Sequence, residues 1–340
     1  MKSIKYLFKI IHYYFYKIFS IILSRVVWLI YKFPSPKGVF AYSPDNFEFK
    51  NKIIFAFWNK KLVHLGDQLF HQPIIEALRK HYDVYVCSDD PLKEYFKALG
   101  VKTVALPELK QEKIKGGVFI SKGDMAFDVY KNFPRNNSFI GIHYGKIEGE
   151  EKVAVSLAKN IINMMKLLKI KGADGLLEGM NFQPEIPASI LSTPEKQDDL
   201  RYFLNNKNKK FIVFNNYVAS NFIDTKKREH LLDEIARNKK EQGYLIVHCG
   251  SAQDKAADNN YYDFVDIDLR GKLGIMDLFK LFSLENIKGI IGFDAFVMHV
   301  ASLFKKDLYV VVRKESRKEL FRKKFVPMYP GEDGIVKEYL

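Results

Sequence analysis

The sequence predicts an α/β protein made of two doubly wound domains, and two observations support this prediction. Short apolar runs bounded by turn residues alternate with helical patterns from about residue 50 onward, as expected for parallel strands buried on both faces. This alternation stops at a proline-containing stretch, residues 181–197, and starts again after it. A chain of 340 residues is long enough for two cores. We therefore expect two Rossmann-like domains that face each other across a cleft.

The elements of the first domain, residues 50–190, are predicted from periodicity. Its strands are 52–57, 82–88, 102–107, 116–121 and 138–143, with helices over 73–81, 91–99 and 151–169. The second domain, residues 200–315, repeats the pattern. Its strands are 211–216, 244–250, 265–271, 287–294 and 307–313, with helices over 226–241, 275–284 and 295–303. Residues 316–340 form a C-terminal tail, for which packing back on the first domain is one option.

The charge of the chain is concentrated at its N-terminus. The net charge is +14, and residues 1–37 supply half of it, because they carry seven basic residues and no acidic one. A nucleic-acid-binding protein would spread basic residues over one face with aromatic residues between them, so the pattern excludes nucleic acid as the expected partner. The chain has two cysteines, far apart in sequence, which argues against a disulfide framework and against a structural zinc site.

The N-terminal segment 1–37 combines this charge with an apolar, aromatic-rich sequence. It lacks the cleavage site of a signal peptide, and Lys17 and Arg25 interrupt its apolar run, which disfavours a transmembrane helix. A helix lying in the headgroup region of an anionic leaflet is favoured, with lysines, Tyr16 and Ser20 on one side and residues such as Phe15 on the other. The alternative is a helix packed on the protein's own core.

Several familiar catalytic motifs are missing from the sequence. It contains no G-x-G-x-x-G after a strand, no G-x-x-x-x-G-K-[ST] and no G-x-S-x-G. A dinucleotide fold, a P-loop nucleotidase and a serine hydrolase are therefore unsupported. The carboxylates Asp266 and Asp268 have the D-x-D spacing of some metal-dependent glycosyltransferases, but this spacing is common by chance, and we take them as structural. No metal is expected.

The loops after the strands are the places to look for chemistry, because ligands of such sheets bind at the carboxyl ends of the strands. The first is residues 63–70, where Asp67 lies at the start of a helix. A carboxylate there is stabilised by the helix dipole, so a helix cap is the simplest interpretation. The alternative is a general base that takes a proton from a hydroxyl group. The sequence alone favours the cap.

Three further loops follow strands of the second domain. The first runs from Asn215 through Ser220 to Lys226 and Lys227, and suits either a phosphate cradle or solvated lysines. The second contains Ser251. In the third, Asp294 ends a strand and His299 lies one turn into the next helix, where it is either a buried core histidine or a ligand contact. All of these remain candidates on residue type and position alone.

Taken together, the strand-end stretches resemble glycosyltransferase family 9, the ADP-heptose:lipopolysaccharide heptosyltransferases. Residues 66–78 are similar to the turn and helix with which that family opens, and Ile140-Gly141 to its "IG" strand. In the second half, the similar stretches are residues 215–226, 268–278 and 292–306. The order and spacing hold over residues 52–313.

The resemblance implies a GT-B fold and an inverting, metal-independent glycosyltransferase without a cofactor. It implies that Asp67 is the catalytic base and that Lys226 or Lys227 neutralises the departing diphosphate. It implies a nucleotide-sugar donor, with ADP-heptose expected. The donor-binding residues are then Asn215, Ser220, Lys226, Lys227, Ser251, Asp294, Ala295 and His299. Loops of the first domain are expected to bind the acceptor through Lys122, Arg135 and Lys146.

The N-terminal helix fits this activity, because a lipid-linked glycan acceptor would lie at a membrane surface. We therefore expect an enzyme of lipopolysaccharide, lipooligosaccharide or capsule synthesis, peripheral on the inner face of the cytoplasmic membrane. The alternative is a non-catalytic GT-B module that binds nucleotide sugars in a glycan-assembly complex. A nucleotide-dependent epimerase or dehydrogenase on a similar fold is disfavoured by the missing glycine fingerprint.

Overall fold

The structure, a computed structural model, describes residues 2–31, 38–133, 136–146, 151–191, 198–217, 228–257, 260–312, 319 and 321–340. The chain divides into two compact units. The first unit comprises Met1–Gly149 and Val153–Phe182, and the second comprises Glu150–Lys152 and Gln183–Leu340.

The first unit is built on a six-stranded sheet with the order β1-β6-β5-β2-β3-β4. Strand β1 is antiparallel to β6, and all other neighbours are parallel. The strands are β1 (Val39–Tyr42), β2 (Lys52–Ala56), β3 (Asp83–Cys87), β4 (Lys102–Val104), β5 (Gly117–Lys122) and β6 (Ser138–Ile142). Apart from β1, each strand was predicted within a few residues, because continuous apolar runs are what a sheet buried on both faces requires.

Short helices connect these strands. They are α2 (Leu65–Leu69), α3 (Gln72–Leu78), α4 (Lys93–Ala98), α5 (Leu106–Gln111), α6 (Ala126–Asn132) and α7 (Val153–Leu167). A 3-10 turn, Gly123–Met125, joins β5 to α6, and a second one, Tyr144–Lys146, follows β6.

The second unit contains a six-stranded, wholly parallel sheet with the order β12-β11-β10-β7-β8-β9. Its strands are β7 (Phe211–Asn215), β8 (Leu245–His248), β9 (Ile267–Asp268), β10 (Ile287–Phe293), β11 (Asp307–Val311) and β12 (Val336–Tyr339). Its helices are α8 (Ala188–Leu191), α9 (Asp198–Asn205), α10 (Glu229–Glu241), α11 (Ala252–Ala257), α12 (Ile275–Ser283) and α13 (Phe296–Leu303). A π-helical turn, Phe321–Phe325, and a 3-10 turn, Asp333–Ile335, precede β12.

Both sheets have the doubly wound topology that the sequence predicted. In each, the first parallel strand lies at the centre and the chain then builds outward on both sides, so the strand order reverses between β2 and β5 and between β7 and β10. The predicted α/β class is therefore confirmed. The cleft between two facing domains stays a prediction, as does packing of the tail on the first domain.

Helix α1 (Lys2–Tyr31) belongs to the first unit and packs on α6 and on the turn that precedes it. Its inward side is polar in part: Ser20, Ser24 and Val27 are buried there. Ser24 Oγ–H donates to the Asp124 carbonyl at 2.9 Å and accepts from the Phe127 N–H at 3.1 Å. This side of α1 therefore packs on the protein, as in the alternative that the sequence offered to a membrane-surface helix.

The opposite side of α1 exposes large apolar side chains. We call these residues the outer stripe: Phe15, Ile18, Phe19, Ile22, Val26 and Leu29, each 44–69% exposed. They recur every three or four residues, which places them on one face. The sequence expected Tyr16 and Ser20 to face away from the apolar side, and they do, but they point at the protein. In the described part of the chain, no helix combines the length and apolarity needed to cross a membrane.

Candidate functional site

Asp67 lies in the first turn of α2, close to the carboxyl end of the central strand β2. His64, the residue before the helix, has extended backbone and ends the preceding loop. Its N–H donates to Asp67 Oδ2 at 3.0 Å, so the carboxylate satisfies one of the backbone donors that a helix start leaves open. The cap that the sequence favoured is therefore present.

Lys122 is the second partner of the same carboxylate oxygen. It is the last residue of β5, which neighbours β2, and its Nζ lies 3.2 Å from Asp67 Oδ2. The side chains of Asp67 and Lys122 are 13% and 17% exposed, so this ion pair is largely shielded from water. Among the residues that the structure describes, no group donates a hydrogen bond to Asp67 Oδ1. Within the described residues, one oxygen of the carboxylate is held by two donors and the other by none.

The protonation state of Asp67 follows from opposing effects. Burial alone would raise the pKa of its carboxyl group, but the charges of Lys122 and His64 and the hydrogen bonds that these residues donate outweigh burial and lower the pKa below its usual value. Asp67 is therefore ionised at neutral pH and can accept a proton. This is the state that a general base needs.

Two buried side chains, His71 and Tyr144, pack next to Asp67 and Lys122. His71 is fully buried, and burial lowers the pKa of its imidazole to about 4, so the ring is neutral at pH 7. Since its Nδ1 lies 2.8 Å from the Asp67 carbonyl oxygen, which can only accept, the ring proton is on Nδ1. The ring of Tyr144 packs against His71, and the Lys122 ammonium group lies 5.8 Å from the centre of the Tyr144 ring. Burial raises the pKa of the Tyr144 hydroxyl.

The three residues expected to bind an acceptor are placed differently. Lys122 pairs with Asp67 as described. Lys146 is exposed in the turn after β6. Arg135 lies outside the described residues.

In the second unit, Asn215 is the last residue of the central strand β7. Its side-chain Nδ2 donates to the Cys249 carbonyl at 2.9 Å, which ties the end of β7 to the segment after β8. Asn215 therefore has a structural function at the strand ends. Ser220, Lys226 and Lys227, which were expected in the same loop, lie outside the described residues.

Next to Asn215 the structure shows a polar network. It joins Asn216 and His248, which lie in or beside the strand-end loops that the sequence indicated, to Glu229 and Tyr262, which the sequence analysis did not identify. Asn216 Nδ2 donates to Glu229 Oε1 at 2.7 Å and to the Tyr262 hydroxyl at 2.6 Å, and the Tyr262 hydroxyl donates to the same Glu229 oxygen at 2.7 Å. His248 Nε2 lies 3.0 Å from Asn216 Oδ1. The only sequence signal was the occurrence of polar residues at the ends of two neighbouring strands.

Ser251 forms a reciprocal cap at the start of α11. Its N–H donates to Asp254 Oδ2 at 2.6 Å, and its Oγ accepts from the Asp254 N–H at 3.1 Å. The D-x-D carboxylates are also committed to contacts within the protein. Asp266 pairs with Lys240 at 3.0 Å, and Asp268 pairs with Arg270 at 3.0 Å. The described residues contain no group of three or more His, Cys, Asp or Glu side chains arranged to hold a metal ion.

Asp294 and Ala295 lie between the other central strand, β10, and helix α13. Asp294 is buried, and Ala295 is the extended residue that caps the helix. His299 lies one turn further, buried, and its N–H donates to the Ala295 carbonyl at 3.2 Å. These three residues therefore follow β10, and Asn215 ends β7, the two strands where the order of the second sheet reverses.

The same position recurs in the first sheet. Asp67 follows β2 and Lys122 ends β5, the two strands where that order reverses. Ligands of doubly wound sheets bind at this reversal, outside the carboxyl ends of the strands. Most of the described candidates of each unit therefore lie at this reversal, whereas Lys146 follows β6 and Ser251 follows β8.

Comparison with known proteins shows where this fold occurs. The chain is similar to a glycosyl transferase family 9 structure from Veillonella parvula DSM 2008, with a TM-score of 0.50 and 15% identity over 78% of this chain and 82% of that one. It also matches the E. coli ADP-heptose LPS heptosyltransferase II, with a TM-score of 0.47 and 16% identity over 76% and 83% of the two chains. No protein-family model and no curated relative matches the sequence. At this identity, the first likeness shows the fold alone, which this chain shares with a glycosyl transferase family 9 protein.

Proposed function

We propose that the protein is an inverting, metal-independent glycosyltransferase in which Asp67 is the catalytic base. The observation that carries this proposal is the ionised Asp67 carboxylate at the strand reversal of the first sheet, with Oδ2 engaged by two donors and Oδ1 by no donor among the described residues. A helix cap alone does not require a lysine on the same carboxylate. The fold is one that a family 9 glycosyltransferase uses.

The proposed reaction is a displacement at the anomeric carbon that needs one base and one anionic leaving group. The acceptor oxygen forms a bond to the anomeric carbon of the donor, and its proton passes to Asp67 Oδ1. The bond from the anomeric carbon to the diphosphate oxygen breaks on the opposite side, so the configuration inverts and the nucleoside diphosphate leaves with the electron pair. Lys226 or Lys227 neutralises this anion, since a preorganised positive charge is worth most where negative charge develops.

We assign the donor to the second unit and ADP-heptose as its identity. Asn215, Ser220, Ser251, Asp294, the Ala295 N–H and His299 are its proposed contacts. In favour, the described members of this set lie at or near the ends of neighbouring central strands. Arg135 and Lys146 are the proposed acceptor contacts, on a lipid-linked glycan of lipopolysaccharide, lipooligosaccharide or capsule. Lys122, which the resemblance placed with them, contacts Asp67.

The test starts from donor binding. Thermal unfolding in the presence of a panel of nucleotide sugars identifies the donor, because a ligand that binds only the folded state raises its stability. With that donor, Asp67→Asn is expected to reduce transfer at least 100-fold, because the amide cannot accept the proton. Asp45→Asn, which alters an exposed carboxylate of the same unit, is the matched control and is expected to retain activity. Undiminished transfer by Asp67→Asn would refute the base assignment.

The alternative is a non-catalytic GT-B module. It is supported by candidate donor-binding residues of the second unit that hydrogen-bond within the protein, such as Ser251 with Asp254. A wild-type protein that is stabilised by a nucleotide sugar but transfers its sugar to no acceptor would favour this alternative.

We also propose that helix α1 binds the anionic inner face of the cytoplasmic membrane. The support is the placement of its polar and apolar sides: the side with Ser20 and Ser24 packs on the protein, and the apolar outer stripe is exposed. An apolar stripe on a strongly basic segment suits an anionic bilayer surface, where apolar burial and charge attraction add. Arg25, exposed on the same helix, adds to this attraction.

Point substitutions test the membrane proposal better than deletion, because removing α1 also uncovers the surface that it packs on. Ile18→Ser with Ile22→Ser is expected to weaken co-sedimentation with phosphatidylglycerol vesicles more than tenfold, by loss of apolar burial. Leu167→Ser changes an equally exposed leucine on α7 and is the control. Equal binding by the double variant and the control would overturn the proposal.

A further inference from the structure

The pairing of Lys122 with Asp67 has two possible functions. The lysine either reaches the acceptor, as the sequence suggested, or acts on the carboxylate itself. Geometry distinguishes them, because Lys122 Nζ lies 3.2 Å from Asp67 Oδ2 and the two side chains are shielded together. A lysine kept for the acceptor alone would have no need of this contact.

The two donors on Oδ2 fix the orientation of the carboxylate. His64, whose N–H is one donor, directly precedes α2, and Lys122 ends β5, the strand next to β2. Two donors from separate elements prevent the carboxylate from rotating about its Cβ–Cγ bond. Oδ1 is then the oxygen that remains for a proton.

The backbone next to Lys122 is also held by hydrogen bonds and an ion pair. The turn that follows it, Gly123–Met125, receives a hydrogen bond from Ser24 of α1 at the Asp124 carbonyl. His143 Nδ1 lies 3.7 Å from Asp124 Oδ1. These contacts fix the backbone position from which the Lys122 side chain reaches Asp67.

We infer that Lys122 is a positioning residue that holds Asp67 as a carboxylate and keeps its Oδ1 directed at the acceptor hydroxyl. The inference rests on the proposed function, which assigns the base to Asp67. It goes beyond that function by assigning Lys122 to the base and not to the acceptor.

The other groups around Asp67 support this assignment. His71 presents a neutral ring that contacts the Asp67 backbone, and Tyr144 presents a neutral phenol. His64 is the remaining group whose charge favours the ionised carboxylate. Beyond Lys122 lie His143 and Asp124. Among these described residues, Lys122 is thus the one lysine in contact with Asp67. It opposes the effect of burial, which raises the pKa of that carboxyl group.

The experiment is a carbon-13 NMR titration of the full chain labelled at aspartate Cγ, with Asp67→Asn to assign the signal. In Lys122→Met the midpoint of Asp67 is expected to rise by about 1–3 pH units, because the effect of burial is then opposed by His64 alone. Lys122→Arg is expected to keep the wild-type midpoint. Lys102→Met, which removes the lysine of the exposed Lys102–Asp83 pair in the same sheet, is the matched control and is expected to leave Asp67 unchanged.

Kinetics with the established donor and acceptor give the second measurement. The acid limb of the kcat profile is expected to move upward in Lys122→Met by the same amount as the midpoint, with the acceptor KM within twofold of wild type. A higher acceptor KM with an unmoved Asp67 midpoint would overturn the inference and return Lys122 to the acceptor. Loss of the base assignment through an active Asp67→Asn variant is a separate result, and the titration still measures the pair in that case.

Discussion

The strand reversals of the two sheets have the same topology but use their polar side chains differently. At the first, Lys122 and His64 hold one oxygen of Asp67, and no described residue donates to the other. At the second, the Asn215 and Asn216 side chains connect strand ends to one another and to neighbouring loops. The difference teaches that the same topology can hold a carboxylate through one of its oxygens, as in the first unit, or connect strand ends to one another, as in the described part of the second, which we call its frame.

The largest expected effect tests how tightly each frame is packed. A Cβ added to Gly141 of β6 would lie 2.7 Å from the Gly123 Cα, and one added to Gly292 of β10 would lie 2.8 Å from the Asn215 carbonyl oxygen. Both of these atoms belong to the backbone and cannot move away by a change of rotamer. Alanine at either position is therefore expected to destabilise the protein by about 1–3 kcal/mol. Denaturant unfolding measures this loss.

The two glycine variants also separate the two reversals. Gly141→Ala pushes on the turn directly after Lys122 and is expected to shift the Asp67 titration, whereas Gly292→Ala is not. Gly179→Ala and Gly334→Ala, where a Cβ meets nothing within 4 Å, are the controls in the first and second unit. If Gly141→Ala leaves both stability and the Asp67 titration unchanged, the packing described for this turn is wrong.

The second effect is a pH dependence of opposite sign in the two units. Burial lowers the pKa of His71 from 6.5 to about 4, so between these values the unfolded chain binds more protons at this site. Burial raises the pKa of Glu332 from 4.5 to about 7, so there the folded chain binds more. From pH 5 to pH 7 the stability contributed at His71 therefore rises and that at Glu332 falls, each by roughly 2 kcal/mol.

Hydrogen exchange of the strand amides, corrected for the intrinsic rate at each pH, measures the two units separately. We expect protection in β2 to increase from pH 5 to pH 7 and protection in β10 to decrease. His71→Gln and Glu332→Gln are expected to flatten the trend of their own unit alone. The same trend in both units, unaffected by either substitution, would contradict the assignment.

The sequence predicted the buried strands well and the sheet edges poorly, for a physical reason. Central strands such as β2 and β7 bury both faces and are continuous apolar runs. The outer strands β1 and β12 were missed, since VFAY follows a proline-rich stretch and VKEY is half polar. Strand β9, predicted over 265–271, shrinks to two residues.

The candidate site was predicted in part. A strand-to-helix turn identified Asp67 as a polar group at a strand end, because such positions follow from local pattern. Its pairing with Lys122, 55 residues away, depends on which strands become neighbours, and spacing does not reveal that. The inward side of α1 was missed for a similar reason: Ser24 is buried because the turn at Asp124 supplies its hydrogen bonds.

The smallest expected effect concerns the frame of the second unit. Tyr262→Phe removes a hydroxyl that donates to Glu229 Oε1 and accepts from Asn216 Nδ2, while the ring contacts with Phe214 and His248 remain. The loss is expected to be about 1–1.5 kcal/mol of unfolding free energy, the net contribution of one partly buried hydrogen-bonded group. Denaturant unfolding measures it, with the neighbouring Tyr261→Phe as control, because that side chain is 89% exposed. If the two variants lose the same stability, the network is not a frame, and the contrast between the two strand reversals would rest on the Asp67–Lys122 pair alone.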